Sequence, residues 1–134
     1  KSSAASDVYK RQLKGINGKD LQILIAEDND SNYSLVKHIL KEYQITRVVN
    51  GVEAVEKVRD EEFDIVLMDM KMPIMGGLEA TRKIRELNPI IPIIALTANA
   101  FDADRVSAME AGCNAFLTKP LKKEELLELF SFKL

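Results

Sequence analysis

Three acidic side chains stand at the ends of two apolar segments of this sequence. Leu21–Ala26 is followed by Glu27 and Asp28, and Phe63–Met68 is followed by Asp69. If the two segments are neighbouring strands, the three carboxylates meet at one edge of the sheet. They repel one another there unless a cation or a proton neutralises part of the charge. The pattern therefore predicts a functional cluster at this edge.

Two further polar groups follow later apolar segments: Thr97 after Ile91–Leu96, and Lys119 from the end of Ala115–Thr118. Oxygen ligands of this kind suit Mg²⁺, with Mn²⁺ as an alternative, and the chemistry that fits the set is metal-assisted phosphoryl transfer. Asp69 would be the nucleophile and form an acyl phosphate. Lys119 would pair with the phosphoryl charge, and the Thr97 hydroxyl would donate to a phosphoryl oxygen.

The segments that position these groups alternate between strand and helix patterns. This predicts an α/β fold, (βα)5, with a doubly wound five-stranded parallel sheet and helices on both faces. The predicted strands are Leu21–Ala26, Ile45–Val49, Phe63–Met68, Ile91–Leu96 and Ala115–Thr118. The predicted helices are Ser31–Tyr43, the segment from the Asn50 cap to about Asp60, Leu78–Leu87, Ala98–Ala111 and Lys122–Phe130.

Strand order decides which polar groups meet. The order 2-1-3-4-5 reverses between strands 1 and 3, and in open parallel sheets ligands bind at such a reversal. Strand 2 is then an edge strand and is expected to deliver no polar group to the crevice. Within the helices, Asn50 and Glu53 predict a capped start, Gly112 predicts a C-terminal cap, and the first helix has one apolar stripe, formed by Leu35, Ile39 and Leu40.

Length and composition limit the class of protein. The 134 residues fit one domain, and a net charge of −2 argues against non-specific binding to nucleic acid or to anionic membranes. The single cysteine, Cys113, cannot form an internal disulfide, and no apolar stretch is long enough to cross a bilayer. We expect a cytoplasmic protein, or the cytoplasmic part of a membrane-bound one. Residues 1–20 read as a leader or linker outside a domain at 21–134, with a short helix over Asp7–Leu13 left open.

Four segments carry a resemblance that covers residues 21–131. They are LQILIAEDND, DIVLMDMKMPIMGGLEATRKIR, IIALTANA and AGCNAFLTKP, in this order. Together they closely resemble the receiver domain of response regulators in two-component signalling. The resemblance implies the flavodoxin-like receiver fold. It also implies a phosphoacceptor domain of a phosphorelay, which takes a phosphoryl group from a phosphohistidine onto Asp69 with Mg²⁺ and then switches conformation.

The same resemblance assigns roles to single residues. It implies that Asp28 binds Mg²⁺ directly, that Glu27 does so more often through water, and that Asp69 and the backbone carbonyl of Lys71 complete the protein ligands. Glu27 stands where many receivers carry Asp, and its longer side chain should leave metal binding intact.

The resemblance further implies that Thr97 and Phe116 are the switch pair and that the Lys119–Pro120 bond is cis. The switch aromatic is Phe where Tyr also occurs, so it cannot form a hydroxyl hydrogen bond. A plain core role for Phe116 stays open. The expected output face comprises helix 4, strand 5 and helix 5, within Ala98–Phe130.

The expected partners are a histidine kinase phosphodonor domain, a histidine phosphotransfer domain, and a second copy bound through helix 4, strand 5 and helix 5. We expect no direct binding to nucleic acid and no membrane insertion. The domain is expected to catalyse its own Asp phosphorylation and dephosphorylation without being a multiple-turnover enzyme. The sequence of these motifs most resembles receivers of hybrid sensor histidine kinases, so the domain is either stand-alone or part of such a kinase.

Two other functions compete with this hypothesis. An aspartyl-phosphate phosphatase of the haloacid-dehalogenase type needs a second acid two residues after the nucleophile, and that position holds Lys71. A flavin carrier of the flavodoxin type needs a phosphate-binding loop after strand 1. Glu27 and Asp28 occupy that place and would repel the flavin phosphate.

Overall fold

The computed structural model describes residues 20–98 and 102–130, which form one five-stranded parallel sheet with helices on both faces. The strands are β1 (Gln22–Ala26), β2 (Gln44–Val48), β3 (Ile65–Asp69), β4 (Ile93–Thr97) and β5 (Ala115–Thr118). The helices are α1 (Asp30–Ile39), α2 (Gly51–Asp60), α3 (Gly77–Leu87), α4 (Asp102–Ala111) and α5 (Lys123–Glu128). The strand order β2-β1-β3-β4-β5 confirms the predicted topology.

The sheet has apolar side chains on both faces, because each face is covered by helices. In β1, Ile23 and Ile25 pack with residues of α1 and α5, whereas Leu24 and Ala26 pack with residues of α2, α3 and α4. All five residues of β3 and of β4 are buried. These fully covered central strands hold the site between them.

Helix starts and stops follow the polar signals of the sequence. The Asn50 side chain accepts a hydrogen bond from the Glu53 amide at 2.9 Å, and the Glu53 carboxylate accepts one from the Val49 amide at 3.0 Å. This is a capping box that reaches one residue further back than the usual form. The Asn29 side chain caps α1 by accepting from the Asn32 amide at 2.9 Å.

The phase and length of α1 differ from the prediction. Leu35 is 41% exposed, whereas Val36 and Leu40 are fully buried, so the predicted stripe was wrong at Leu35. The helix ends at Ile39 because the chain turns there, with the Tyr43 amide donating to the Leu40 carbonyl at 2.9 Å. Tyr43 still packs on the core from this turn.

Other boundaries shift by one or two residues where strand ends depend on a neighbouring strand. β4 begins at Ile93 because Pro92 has no N–H to give to a ladder. β3 begins at Ile65 and includes Asp69, and α5 ends at Glu128, although Phe130 beyond it is also buried. The predicted helix over Asp7–Leu13 lies outside the described residues, as does part of the predicted start of α4. Within the described ranges, no helix has the length and apolarity needed to cross a membrane.

Gly112 ends α4 in a Schellman motif, as its position predicted. Its amide donates to the Met109 carbonyl at 3.1 Å, and the Cys113 amide donates to the Ala108 carbonyl at 3.0 Å. The backbone φ of Gly112 is +119°, and an added Cβ would lie 2.7 Å from Arg85 Cγ. Both conformation and space therefore require glycine here.

We expect Gly112→Ala to lower the free energy of unfolding by about 2–4 kcal/mol, from backbone strain plus the clash with Arg85. Gly76→Ala is the matched control, because Gly76 has a negative φ and its added Cβ would lie 3.2 Å from the Met70 carbonyl. That change should cost less than about 1 kcal/mol. Urea unfolding of both variants measures the difference, and equal losses would contradict the assignment.

Candidate functional site

The carboxyl ends of β1, β3, β4 and β5 surround a cleft of about 420 Å³. All five polar side chains predicted for the site from the strand ends line it: Glu27, Asp28, Asp69, Thr97 and Lys119. Their convergence follows from the strand order. β1 and β3 are neighbours, with Ala26 beside Met68, so the residues that follow them project from the same edge.

Three carboxylates form the acidic part of the cleft. Ligand oxygens of Glu27, Asp28 and Asp69 lie within 4.8 Å of one another. Glu27 is fully buried and Asp69 is nearly so, whereas Asp28 is exposed. The cluster thus has a buried floor and one ligand facing solvent.

Lys119 supplies a cation to the two buried acids. Its ammonium lies 3.1 Å from Glu27 Oε1 and 3.1 Å from Asp69 Oδ1. The Lys119 amide donates to the Thr97 carbonyl at 2.8 Å, and this hydrogen bond holds the Lys119 backbone beside the end of β4. The Lys119–Pro120 peptide bond is cis, which confirms the prediction.

Burial and mutual contact shift the proton affinities of this group. Burial raises the pKa of Glu27 above its ordinary value of 4.5, and a hydrogen bond to Asp69 and the charge of Asp69 raise it further. For Lys119, burial acts to lower the pKa, but hydrogen bonds to Asp69 and Glu27 outweigh it and the pKa is raised. Lys119 therefore stays charged, and Glu27 takes up a proton at a higher pH than an ordinary glutamate does.

The donor set fits a hard divalent cation. Glu27 Oε1 is buried and, apart from its ion pair with Lys119, accepts no well-aligned hydrogen bond. Asp69 Oδ1 accepts from the Lys71 amide at 3.1 Å, which aligns the loop after β3 with the carboxylate. A buried oxygen with a free lone pair, beside two further carboxylates, is what an oxygen-preferring ion requires.

Family models identify the fold family directly. Residues 23–131 match the model of the response regulator receiver domain. The chain belongs to this family. The receiver domain is the phosphoacceptor part of two-component signalling, and the resemblance found in the sequence is confirmed.

Similar proteins agree with this assignment. LuxQ of Vibrio vulnificus, an autoinducer 2 sensor kinase/phosphatase, is 41% identical over 120 residues, which are 87% of this chain and 14% of LuxQ. The receiver domain of the sensor histidine kinase PA1611 from Pseudomonas aeruginosa, solved with magnesium in its active site cleft, is 38% identical. The two structures align with a TM-score of 0.77, over 83% of this chain and 94% of that one.

A third similar structure is a complex. The receiver domain of Ssk1 from Saccharomyces cerevisiae, bound to the histidine phosphotransfer protein Ypd1, is 28% identical to this chain. It aligns with a TM-score of 0.78 over 81% of this chain and 85% of that one. The match to LuxQ covers only 14% of the length of that protein.

The two expected switch residues occupy neighbouring strands. Thr97 ends β4 and is 8% exposed, and Phe116 lies in β5 opposite Ala95. The Phe116 ring is half-buried against the cluster beneath α2–α4, and the Arg105 guanidinium lies 5.4 Å from the ring centre. A core contact and a switch role are both compatible with this position.

Sequence reasoning missed several residues of the cleft wall. Asn29, Asn32, Leu78, Asp104 and Ser107 also line it. Asn29 carried a signal, because an Asn directly before a helix is a common cap. Asp104 and Ser107 carried none, because the rotation of α4 about its axis decides which of its residues face the cleft.

We expect Mg²⁺ affinity to fall with acidification, because the metal binds the deprotonated form of Glu27. Each unit of pH below the raised pKa of Glu27 should weaken binding by up to about tenfold. Glu27→Gln should bind Mg²⁺ more weakly at neutral pH but lose part of this slope. Calorimetric titrations between neutral and mildly acidic pH measure the dependence of Mg²⁺ affinity on pH in both proteins. Identical slopes in both proteins would contradict a role for Glu27.

Proposed function

We propose that Asp69 takes a phosphoryl group from a phosphohistidine of a histidine kinase or of a histidine phosphotransfer domain. The observation that carries the proposal is the ion-paired group in the cleft, in which Lys119 lies 3.1 Å from both Asp69 and Glu27. Three carboxylates beside one ammonium form a site for a divalent cation, and the cation together with Lys119 compensates a phosphoryl group.

The reaction transfers one phosphoryl group between two nucleophiles. An oxygen of the Asp69 carboxylate attacks phosphorus, the N–P bond of the phosphohistidine breaks, and its electron pair returns to the imidazole nitrogen. An acyl phosphate forms on Asp69. Such transfer depends on positioning and on compensation of charge, and the chain's own residues provide both.

Mg²⁺, or Mn²⁺ in its place, would be held by Glu27, Asp28, Asp69 and the carbonyl of Lys71, and when bound it supplies charge neutralisation at the phosphoryl oxygens. Lys119 stays protonated and pairs with the same oxygens, because its pKa is raised rather than lowered by its surroundings.

The switch would begin at β4. A phosphoryl group on Asp69 adds acceptor oxygens near Thr97, whose hydroxyl donates to one of them. Movement of Thr97 would free space that the Phe116 ring enters, and this would change the surface of α4, β5 and α5. Hydrolysis of the acyl phosphate in the same cleft would return the domain to its first state, so the domain catalyses its own dephosphorylation.

The relatives support particular partners for the domain. The match to LuxQ supports membership of a hybrid histidine kinase, although a stand-alone receiver is equally consistent with the site. The Ypd1–Ssk1 complex supports a histidine phosphotransfer domain as donor or acceptor. We place the domain in the cytoplasm, outside the bilayer and without nucleic-acid binding, with self-association through α4, β5 and α5.

We expect incubation with acetyl phosphate and Mg²⁺ to add one phosphoryl group to the protein, because Asp69 is the buried nucleophile beside Lys119. Asp69→Asn should abolish the adduct, since an amide oxygen does not form a stable acyl phosphate. Intact-mass spectrometry measures both. Asp60→Asn, an exposed acid on α2, is the control and should label like the unmodified chain.

Persistent labelling of Asp69→Asn would contradict this assignment. The competing phosphatase function is tested in parallel with small phosphoesters. Repeated turnover that accumulates many phosphates per protein would favour that function, whereas one slow cycle of labelling and loss supports the receiver.

We expect phosphorylation of Asp69 to change amide hydrogen exchange in α4, β5 and α5, because Thr97 couples the phosphoryl group to these elements. Thr97→Ala should still be phosphorylated, with the change in exchange reduced severalfold. Exchange measured by mass spectrometry, with and without acetyl phosphate, tests it. An unaltered pattern in the unmodified chain, or a full response in Thr97→Ala, would overturn the proposed switch.

A further inference from the structure

Arg47 joins the edge strand β2 to the loop that carries the acidic pair. Its Nε donates to the Glu27 carbonyl at 3.0 Å, and its Nη2 lies 2.8 Å from Asp30 Oδ1. Residue 47 pairs with Ile25 in β1, so its side chain extends past the end of that strand. Arg47 therefore contacts the chain on both sides of Asp28 and Asn29, at Glu27 and at Asp30.

Residues of β2 hold the Glu27 backbone through both its amide and its carbonyl. Its amide donates to the Val48 carbonyl at 3.0 Å, while its carbonyl accepts from Arg47. Within the loop, Glu27 Oε2 accepts from the Asn29 amide at 3.2 Å. The Arg47 side chain thus connects the backbone of this loop to β2.

The position of Arg47 is itself well defined. Its guanidinium lies 4.5 Å from the centre of the Tyr33 ring, and its side chain is only 23% exposed. Asp30 is 91% exposed, so that ion pair contributes little. The contact with the Glu27 carbonyl, at a partly buried place, is the one that restricts the loop.

We propose that Arg47 is a positioning residue for the divalent-cation site. It acts through the Glu27 carbonyl and holds the loop so that the carboxylates of Glu27 and Asp28 lie beside Asp69. Residues that orient metal ligands from behind contribute strongly to metal affinity, because a loose loop must be ordered on binding. The inference rests on the proposed function, since it takes this cluster as the cation site.

The direction in which Mg²⁺ affinity changes on substitution of Arg47 distinguishes a positioning role from an electrostatic one. Arg47 is a cation near the site, and its charge alone disfavours a second cation. Removal of that charge would by itself tighten Mg²⁺ binding. Weaker binding by a folded variant is therefore opposite in sign to the electrostatic effect and indicates the lost restraint on the loop.

We expect Arg47→Met, which keeps an apolar stem beside Tyr33, to weaken Mg²⁺ binding by about tenfold in calorimetric titration. Arg47→Lys keeps the charge but has no Nε donor and should be intermediate. Asp30→Asn keeps the Glu27 contact and should stay within about twofold of the unmodified chain. Arg59→Met is the matched control, because Arg59 is exposed on α2 and bonds Asp60.

A second readout needs no metal. In metal-free Arg47→Met, the amides of residues 28–30 should exchange faster, while those of β3 and β4 should not change. If Arg47→Met is too unstable to titrate, Arg47→Lys and Asp30→Asn give the same comparison.

Unchanged or tighter Mg²⁺ binding in a folded Arg47→Met or Arg47→Lys protein would overturn the inference. If the acidic cluster is not a cation site at all, the titrations give a different result. The unmodified chain would then not bind Mg²⁺, or Asp28→Asn would bind it equally well, and the proposed function rather than the role of Arg47 would be wrong.

Discussion

One ammonium shared by two buried carboxylates is the constraint on which this site depends. Lys119 lies 3.1 Å from both Glu27 and Asp69, and its charge offsets part of the cost of burying the two acids. Each pair is worth about 4 kcal/mol before the cost of desolvation, at the effective dielectric typical of such places. With Asp28, three carboxylates face one ammonium, and the two negative charges left over match a divalent cation.

Strand order turns these charges into one group. Glu27 follows β1, Asp69 ends β3 and Lys119 follows β5, so residues far apart in sequence meet only because the order is β2-β1-β3-β4-β5. The fully buried β3 and β4 prevent water from reaching the floor of the cleft from below. The same burial that raises the pKa of Glu27 thus keeps the ion pairs strong.

Much of this arrangement could be predicted from sequence because its signals are local. Apolar runs, the Asn50 cap and Gly112 each act within a few residues, and polar residues at strand ends converge once the order is known. What could not be predicted depends on packing between elements. Leu35 and Val36 are neighbours with similar side chains, and only the contact of α1 with the sheet decides that Val36 is buried. The cleft positions of Asp104 and Ser107 depend in the same way on α4.

The edge strand shows why a list of strand ends is an incomplete description of a site. Strand 2 was expected to deliver no polar group to the crevice, and no residue of β2 lines the cleft. β2 nevertheless reaches the acidic loop from behind, because Arg47 extends past the end of β1 to the Glu27 carbonyl. The Glu27 amide still donates to the Val48 carbonyl, but the Glu27 carbonyl lies beyond the strand ladder and accepts from the Arg47 side chain instead. An edge strand can therefore control the geometry of a reacting group that it never contacts.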